Sequence, residues 1–341
     1  MFAVSQIIER NLQRHEHVGS VLWINPERDD CWRAVKPICS SLKLFNQDYG
    51  CHAYLQNAGA NTEFAAFPGK DEEKFDWIIV NLPRQKALLN MVLDCAAKLL
   101  ARDGVLWLAG QNKAGIKSAG KQLKLHFGRI RKLDNARHCS LFEADMRVNQ
   151  DLFDPLAYRN LWDLSCDIAG IKVISYPGVF AHGRLDDGTA LLLQALATMK
   201  LDGEVLDFAC GAGVIGACIA TLNPGTSVTL VDTNALALRA CSETLETNHL
   251  KGHVLASDGL SEVSGSFDFV VSNPPIHAGA RTDNRLGMRL LESVHDHIRH
   301  GGKLILVANV HLPYENWLSK RFKRSGVLAA NDHYKVIVAT R

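Results

Sequence analysis

Glu204 to Gly216 reads EVLDFACGAGVIG, and Val270 to Ile276, about sixty residues on, reads VVSNPPI. In the first stretch an apolar strand runs into a glycine-rich turn that opens a helix, the way a chain wraps its backbone around a nucleotide. Asp207 closes the strand. Gly211 and Gly213 let the chain turn tightly and deliver backbone N–H groups at a helix N-terminus, where a carboxylate is accepted as readily as a phosphate. The spacing of Gly211, Gly213 and Gly216 alone describes a nicotinamide site equally well, so the strands around it decide.

Sixteen residues past Gly216 the strand SVTLVD ends at Asp232, where an acid accepts hydrogen bonds from both ribose hydroxyls. HVLASDGL follows and carries Asp258, suited to an adenine amino group. Acids at three successive strand ends line a dinucleotide pyrophosphate poorly; they suit a nucleoside joined to a zwitterionic amino acid. FDFVVSNPPI (Phe267 to Ile276) then stops an apolar strand at Asn273 ahead of two prolines, Pro274 and Pro275. Prolines fix their own φ and bias the preceding residue away from the helical region, which stiffens the loop and aims the amide. An amide oxygen with a nearby main-chain carbonyl can accept both hydrogens of an exocyclic amine, and that directs the nitrogen lone pair at a methyl donor. Strands expected at 204–208, 227–232, 253–257, 267–272 and 303–308 alternate with helical stretches, a doubly wound pattern whose ligands sit beyond the carboxyl ends of the strands.

LDFACGAG, LVD, ASDG and SNPPI together resemble the class I S-adenosylmethionine-dependent methyltransferases that modify amines. PGVF at Pro177 to Phe180, DDGTALLLQAL from Asp186 and VANVHLPY at Val307 to Tyr314 are similar to the RsmC family, which methylates guanine N2 in 16S ribosomal RNA, and the likeness covers nearly the whole chain. The resemblance implies two tandem Rossmann-like α/β domains, S-adenosyl-L-methionine as cofactor and the small ribosomal subunit as partner. It implies cofactor contacts from Asp207, Ala209, Gly211, Gly213, Asp232 and Asp258, with Phe180 and Asp187 bordering them, and a catalytic segment of Asn273, Pro274, Pro275 and Ile276. Ile276 stands where the family has an aromatic, so a base face there would be covered without π-stacking. A helix is expected over Gly188 to Leu196, and Asp187 or Thr189 near its cap explains Asp187 as well as a cofactor contact does.

At 341 residues the chain suits two domains, each burying its own core. Hydrophobic residues make up 47% and charged residues 22%, and no run of about eighteen apolar residues suggests a membrane span. Charges scattered through the N-terminal helical pattern do not read as a signal peptide. Nine cysteines without a CxxC pair read as reduced buried thiols rather than a disulfide framework or a zinc site. A cytoplasmic protein without metal is therefore expected; a monomer is also expected, though no pattern in the sequence decides it.

The net charge of +2 is unevenly divided: 21 basic against 16 acidic residues over 1–150, and 17 against 20 over 151–341. Between Lys113 and Arg137 eight Lys or Arg face one acid, Asp134. Lys113, Lys117, Lys121, Arg129, Arg131 and Arg137 are candidate RNA contacts by this clustering; a solvated helix face is the alternative. Arg281 and Arg285, in the cation-rich RTDNRLGMR that follows NPPIHAGA, are candidates for phosphates flanking a target nucleotide. His277 reads as a pocket wall or an RNA contact, because amine methylation needs no side chain to take the proton before attack.

The first half repeats the second without its turn. After a helix over Ser5 to His15 and the strand VLWIN, the position of CGAG holds PERDD, which has no glycine pair. FDWIIVNLPR (Phe75 to Arg84) matches FDFVVSNPPI, and GVLWLAGQNKAG (Gly104 to Gly115) matches GGKLILVANVHLP (Gly301 to Pro313), in the same order. Domain 1–150 thus reads as a degenerate duplicate that docks RNA and supports folding, joined across Met146 to Asn160 to a catalytic domain over 160–341. The expected reaction is methyl transfer to guanine N2 of 16S rRNA. Adenine N6, a protein glutamine, a nicotinamide-dependent oxidation and an inactive ribosome-binding scaffold are the rivals.

Overall fold

Buried parallel strands must be apolar on both faces, and the strands of this chain are. Val21 and Trp23 join the core on one side of the first sheet and Leu22 and Ile24 the core on the other, all fully buried. The structure is a computed structural model that describes residues 1–341 apart from 14–16, 70–72, 149–152, 165–169 and 275–292.

The chain divides into two compact units, Met1–Tyr158 and Arg159–Arg341. The first contains α1 (Ala3–Leu12), β1 (Val18–Ile24), α2 (Trp32–Val35), β2 (Cys39–Asn46), α3 (Tyr49–Asn57), β3 (Thr62–Phe64), β4 (Phe75–Asn81), α4 (Lys86–Leu99), β5 (Leu100–Gln111), α5 (Ile116–Leu123), β6 (Phe127–Ala136) and β7 (Cys139–Arg147). The second begins with a hairpin of β8 (Asn160–Asp163) and β9 (Lys172–Ser175). It continues through α6 (Asp187–Ala197), β10 (Glu204–Phe208), α7 (Val214–Leu222), β11 (Ser227–Asp232), α8 (Ala235–Thr247), β12 (His253–Ala256), β13 (Phe267–Ser272), β14 (Ile298–Asn309), α9 (Tyr314–Leu318), β15 (Arg324–Ala330) and β16 (Tyr334–Thr340).

Both units form a seven-stranded sheet, in the orders β3-β2-β1-β4-β5-β7-β6 and β12-β11-β10-β13-β14-β16-β15. The order is the same: five parallel strands closed by an antiparallel hairpin. Irregularities repeat too, with register shifts between β4 and β5 at Phe75/Trp77 and between β13 and β14 at Phe267/Phe269. Asp76 Oδ2 accepts from Ser20 N at 2.8 Å, and Asp268 Oδ2 accepts from Glu204 N at 2.9 Å. A Cβ on Gly19 or Gly203 would collide with these carboxylates, at 1.9 and 2.2 Å, so each glycine is required by the same local contact. Such detail goes beyond a shared topology and marks one α/β design present twice.

Half of the basic stretch is not helical. Lys117 and Lys121 lie on α5, but Arg129, Arg131 and Lys132 belong to β6, so a solvated helix face describes only the first part. The eight described cysteines are all free, and all but Cys39 are buried. Among the described residues no helix is long and apolar enough to cross a membrane, and no group of His, Cys, Asp or Glu could hold a metal ion.

Candidate active site

A cavity of about 340 Å³ opens in the second unit beyond the carboxyl ends of β10, β11, β12 and β13. Its floor comes from the glycine turn. Ala209 takes a positive φ of 57° and Gly211 one of 54°, and a Cβ on Gly211 would meet nothing within 4 Å, so bare backbone faces the cavity there. After β11, Asp232 lines the wall with both oxygens anchored: Oδ2 accepts from Gly211 N at 3.0 Å and Oδ1 from Asn234 N at 2.8 Å. An ionised carboxylate offers about four acceptor sites, which suits it to the hydroxyls of a diol. Ser257 and Gly259 contribute from the turn after β12, and Asn273 and Pro274 from the end of β13. Phe180, about half exposed at 51%, stands at the rim between Gly178 and Asp186.

Several expected residues serve this cavity from behind. Asp207 is fully buried and does not line it; its Oδ2 accepts from Gly216 N at 2.8 Å and so ties the first turn of α7 to β10. Burial pushes its carboxyl up to about 7, with the Gly216 N–H opposing that shift and the Asp232 charge adding to it. Gly216 is needed for the same approach, because a Cβ there would lie 2.3 Å from Leu230 and 3.1 Å from the Asp207 carboxylate. Gly213, at φ 77°, lets α7 start against α8: an added Cβ would fall 2.7 Å from Cys241 Sγ.

Two expectations are displaced by one residue. Asp186, not Asp187, caps α6, accepting from Thr189 N at 3.0 Å, and it is Asp186 that lines the cavity. Asp187 sits in the first helical turn, after the capping position, and is not among the lining residues. Asp258 is likewise outside the lining, flanked by Ser257 and Gly259, which are in it. Sequence reasoning missed Tyr334, Thr233 and Asn234 as lining residues. Asn234, as the N-cap of α8, carried a readable local signal; Tyr334 carried none, arriving from the start of β16. Pro275, Ile276, His277, Arg281 and Arg285 lie outside the described residues.

At the same end of the first sheet the counterparts of the cavity residues bond to their own neighbours. The strand registers put Trp23 opposite Leu44 as Asp207 is opposite Leu230, so Trp23 occupies the position of Asp207 and Asn46 that of Asp232. The Trp23 indole is fully buried, and its Nε1 donates to Oδ1 of Asn81 at 2.9 Å. Asn81 ends β4 as Asn273 follows β13. Asn46 Nδ2 donates to Thr62 Oγ1 at 2.9 Å, and Asn25 and Gln47 bond each other twice. These contacts consume the polar groups that a ligand would use.

The candidate RNA residues fall into two groups. Arg129 makes a bidentate pair with Asp145, at 2.7 and 2.8 Å, and Arg131 pairs with Glu143, both across the β6–β7 ladder; Arg137 donates to Gln6 Oε1. Lys113, Lys117 and Lys121 have no carboxylate partner among the described residues.

A sheet ordered 3-2-1-4-5-7-6, with a glycine turn after the central strand and an acid after its neighbour, defines a class I methyltransferase fold. Residues 170–338 match the methyltransferase small domain, and residues 5–160 match the methyltransferase small domain N-terminal family. The chain is 37% identical over 335 residues to the Ribosomal RNA small subunit methyltransferase C of Shewanella amazonensis, across 97% of both chains. It is 36% identical to the protein of that name from Aeromonas hydrophila, across 99% of this chain and 98% of that one. A T. thermophilus 16S rRNA N2 G1207 methyltransferase (RsmC), solved in complex with AdoMet and guanosine, aligns with a TM-score of 0.86 at 22% identity, covering all of this chain and 92% of that one. The chain belongs to the ribosomal RNA small subunit methyltransferase C family.

Proposed function

We propose that this S-adenosylmethionine-dependent ribosomal RNA methyltransferase modifies the exocyclic N2 of a guanine in 16S rRNA. The observation that carries the reading is the shared cavity: Asn273 and Pro274 line the same space as Asp232 and the bare glycine turn. An amine acceptor and a nucleoside cradle within one cavity suit transfer from a nucleoside-borne donor to an amine. The residues fit the cofactor, with Asp232 offering lone pairs to a ribose diol and Gly211 offering open backbone. When bound, S-adenosylmethionine supplies a methyl group on a sulfonium, already activated for in-line displacement.

Positioning is what the chain itself contributes. Guanine N2 is a weak nucleophile because its lone pair is delocalised into the ring. Asn273 Oδ1 and the Pro274 carbonyl would accept its two hydrogens, localise that pair and offset the positive charge that develops on nitrogen. The base must leave its stack to reach the cavity, and the exposed ring of Phe180 at the rim would then cover one face of it. The first unit would dock RNA through Lys113, Lys117 and Lys121 and support folding of the second. Mass spectrometry of nucleosides from 16S rRNA of cells lacking the protein tests the reading. Loss of one N2-methylguanosine is expected; an unchanged N2-methylguanosine content, with another methylated amine lost instead, overturns it.

A further inference from the structure

An Asn side chain can present either its oxygen or its nitrogen to a ligand, and the two choices select opposite substrates. Asn273 is held in one of them. Its Nδ2 donates to Asp186 Oδ2 at 3.0 Å and to Thr189 Oγ1 at 2.8 Å. A carboxylate oxygen can only accept, so the amide end beside Asp186 has to be the nitrogen. Both amide hydrogens are thereby committed to the first turn of α6, and Oδ1 has no partner among the described residues.

The first unit provides the opposite arrangement at the same fold position. There Asn81 Oδ1 accepts from Trp23 Nε1, while its buried Nδ2 has no hydrogen-bond partner. The residue capping α1 is Phe2, which offers no side-chain acceptor, and Ser5, three residues on as Thr189 is from Asp186, has a buried Oγ without a partner. The Asn has been kept in both units, but the clamp on its nitrogen exists only beside the cavity.

We propose that Asp186 and Thr189 are positioning residues which fix the Asn273 amide with its oxygen toward the substrate, so that the site takes a target bearing N–H hydrogens and disfavours one that only accepts. This rests on the reading of Asn273 as the amine acceptor. Without the clamp the amide can flip, and a flipped amide sets N–H against N–H at the reacting nitrogen. The effect belongs to turnover rather than to cofactor binding, because what the clamp fixes is the orientation of the amide that meets the amine, and Thr189 lies outside the cavity lining.

The test compares Thr189→Val, Thr189→Ser, Asp186→Ser and Asn273→Ala in the full-length protein. Methyl transfer is measured from labelled S-adenosylmethionine to small subunits prepared from cells lacking the enzyme, and S-adenosylmethionine binding by calorimetry. Ser is also a good N-cap, so Asp186→Ser keeps α6 capped while its short side chain releases Asn273. Thr189→Val and Asp186→Ser are each expected to lower kcat by roughly tenfold, Thr189→Val with cofactor Kd within about twofold because Thr189 is outside the cavity lining, and Thr189→Ser to keep wild-type kcat. In an Asn273→Ala background, Thr189→Val should cost nothing further, since the group it positions is gone. A kcat for Thr189→Val within about twofold of wild type, or an equal loss in both backgrounds, overturns the clamp while leaving Asn273 in its role. Full activity of Asn273→Ala overturns the reading of Asn273 itself, and the clamp with it.

Discussion

The two units share a sheet order, a register shift, a glycine–aspartate contact and an asparagine at the end of the fourth strand, yet the residues at that end line a cavity in the second and bond to one another in the first. The difference is made by few residues. Trp23 fills the place of Asp207, Asn46 replaces Asp232, and Asn25 and Gln47 bond each other. The strand end beside the cavity keeps Asn273 Oδ1 without a partner among the described residues, whereas in the first unit the matching Asn81 Oδ1 accepts from Trp23. Each unit also leaves a buried polar atom without a hydrogen-bond partner, Asn81 Nδ2 in the first and Asp207 Oδ1 in the second.

The sharpest way to break this contrast is at the paired asparagines. Asn273→Ala should lose at least about a hundredfold in turnover, roughly 3 kcal/mol, with cofactor affinity kept. Asn81→Ala should leave turnover unchanged and instead destabilise the first unit, because it strips the buried Trp23 Nε1 of its acceptor. Steady-state kinetics and urea unfolding of both variants decide it; equal kinetic losses would dissolve the distinction between the units.

At the second strand ends, Asp232→Ala should weaken S-adenosylmethionine binding by roughly 1–3 kcal/mol, whereas Asn46→Ala should not change it. Calorimetry on the folded variants is the measurement, and an unaltered affinity for Asp232→Ala would remove that acid from the site.

Asp207 sharpens the comparison through pH. Its carboxyl is raised from 3.8 to about 7, chiefly by burial. The folded chain therefore holds that proton more tightly than the unfolded chain, a stabilisation complete below about pH 4 and lost as pH rises through about 7. Asp207→Asn keeps an acceptor for Gly216 N and does not titrate. Wild type should lose at least about 1.4 kcal/mol relative to this variant between pH 4 and 8, the worth of one pKa unit. Denaturant unfolding at both ends of the range reads it, and a flat difference would contradict the burial of the charge.

The smallest effects are expected on the first unit's surface. Neutralising Lys113, Lys117 and Lys121 should weaken RNA binding uniformly across sequences and shallow the log–log salt dependence by somewhat less than one unit per lost phosphate contact. Arg129 and Arg131 should contribute less, since Asp145 and Glu143 already engage them. Filter binding over a salt series separates the two sets; wild-type affinity after removing all three lysines would leave the first unit as a folding partner only.

The sequence by itself determined the fold class, the duplication and the floor of the site. Each rests on local pattern: apolar runs with period and length suited to buried strands, the glycine turn from Cys210 to Gly213, and the aligned FDWIIVN and FDFVVSN. Strands at 204–208, 227–232 and 267–272 were legible because each apolar run leads into a turn signal: the glycines from Gly211, Asp232 with Thr233 and Asn234, and Asn273 with its prolines. Only the tertiary structure decided which polar residue beyond each strand faces the cavity. One position of slip between Asp186 and Asp187, or among Ser257, Asp258 and Gly259, changes which residue meets the cavity without changing any local preference. Nor could spacing reveal that Asn273 is tied to α6 across 87 and 84 residues of chain, that Tyr334 closes the wall from the last strand, or that Arg129 and Arg131 pair across a hairpin. Those are contacts between distant segments, and they exist only once the sheet has set its strands side by side.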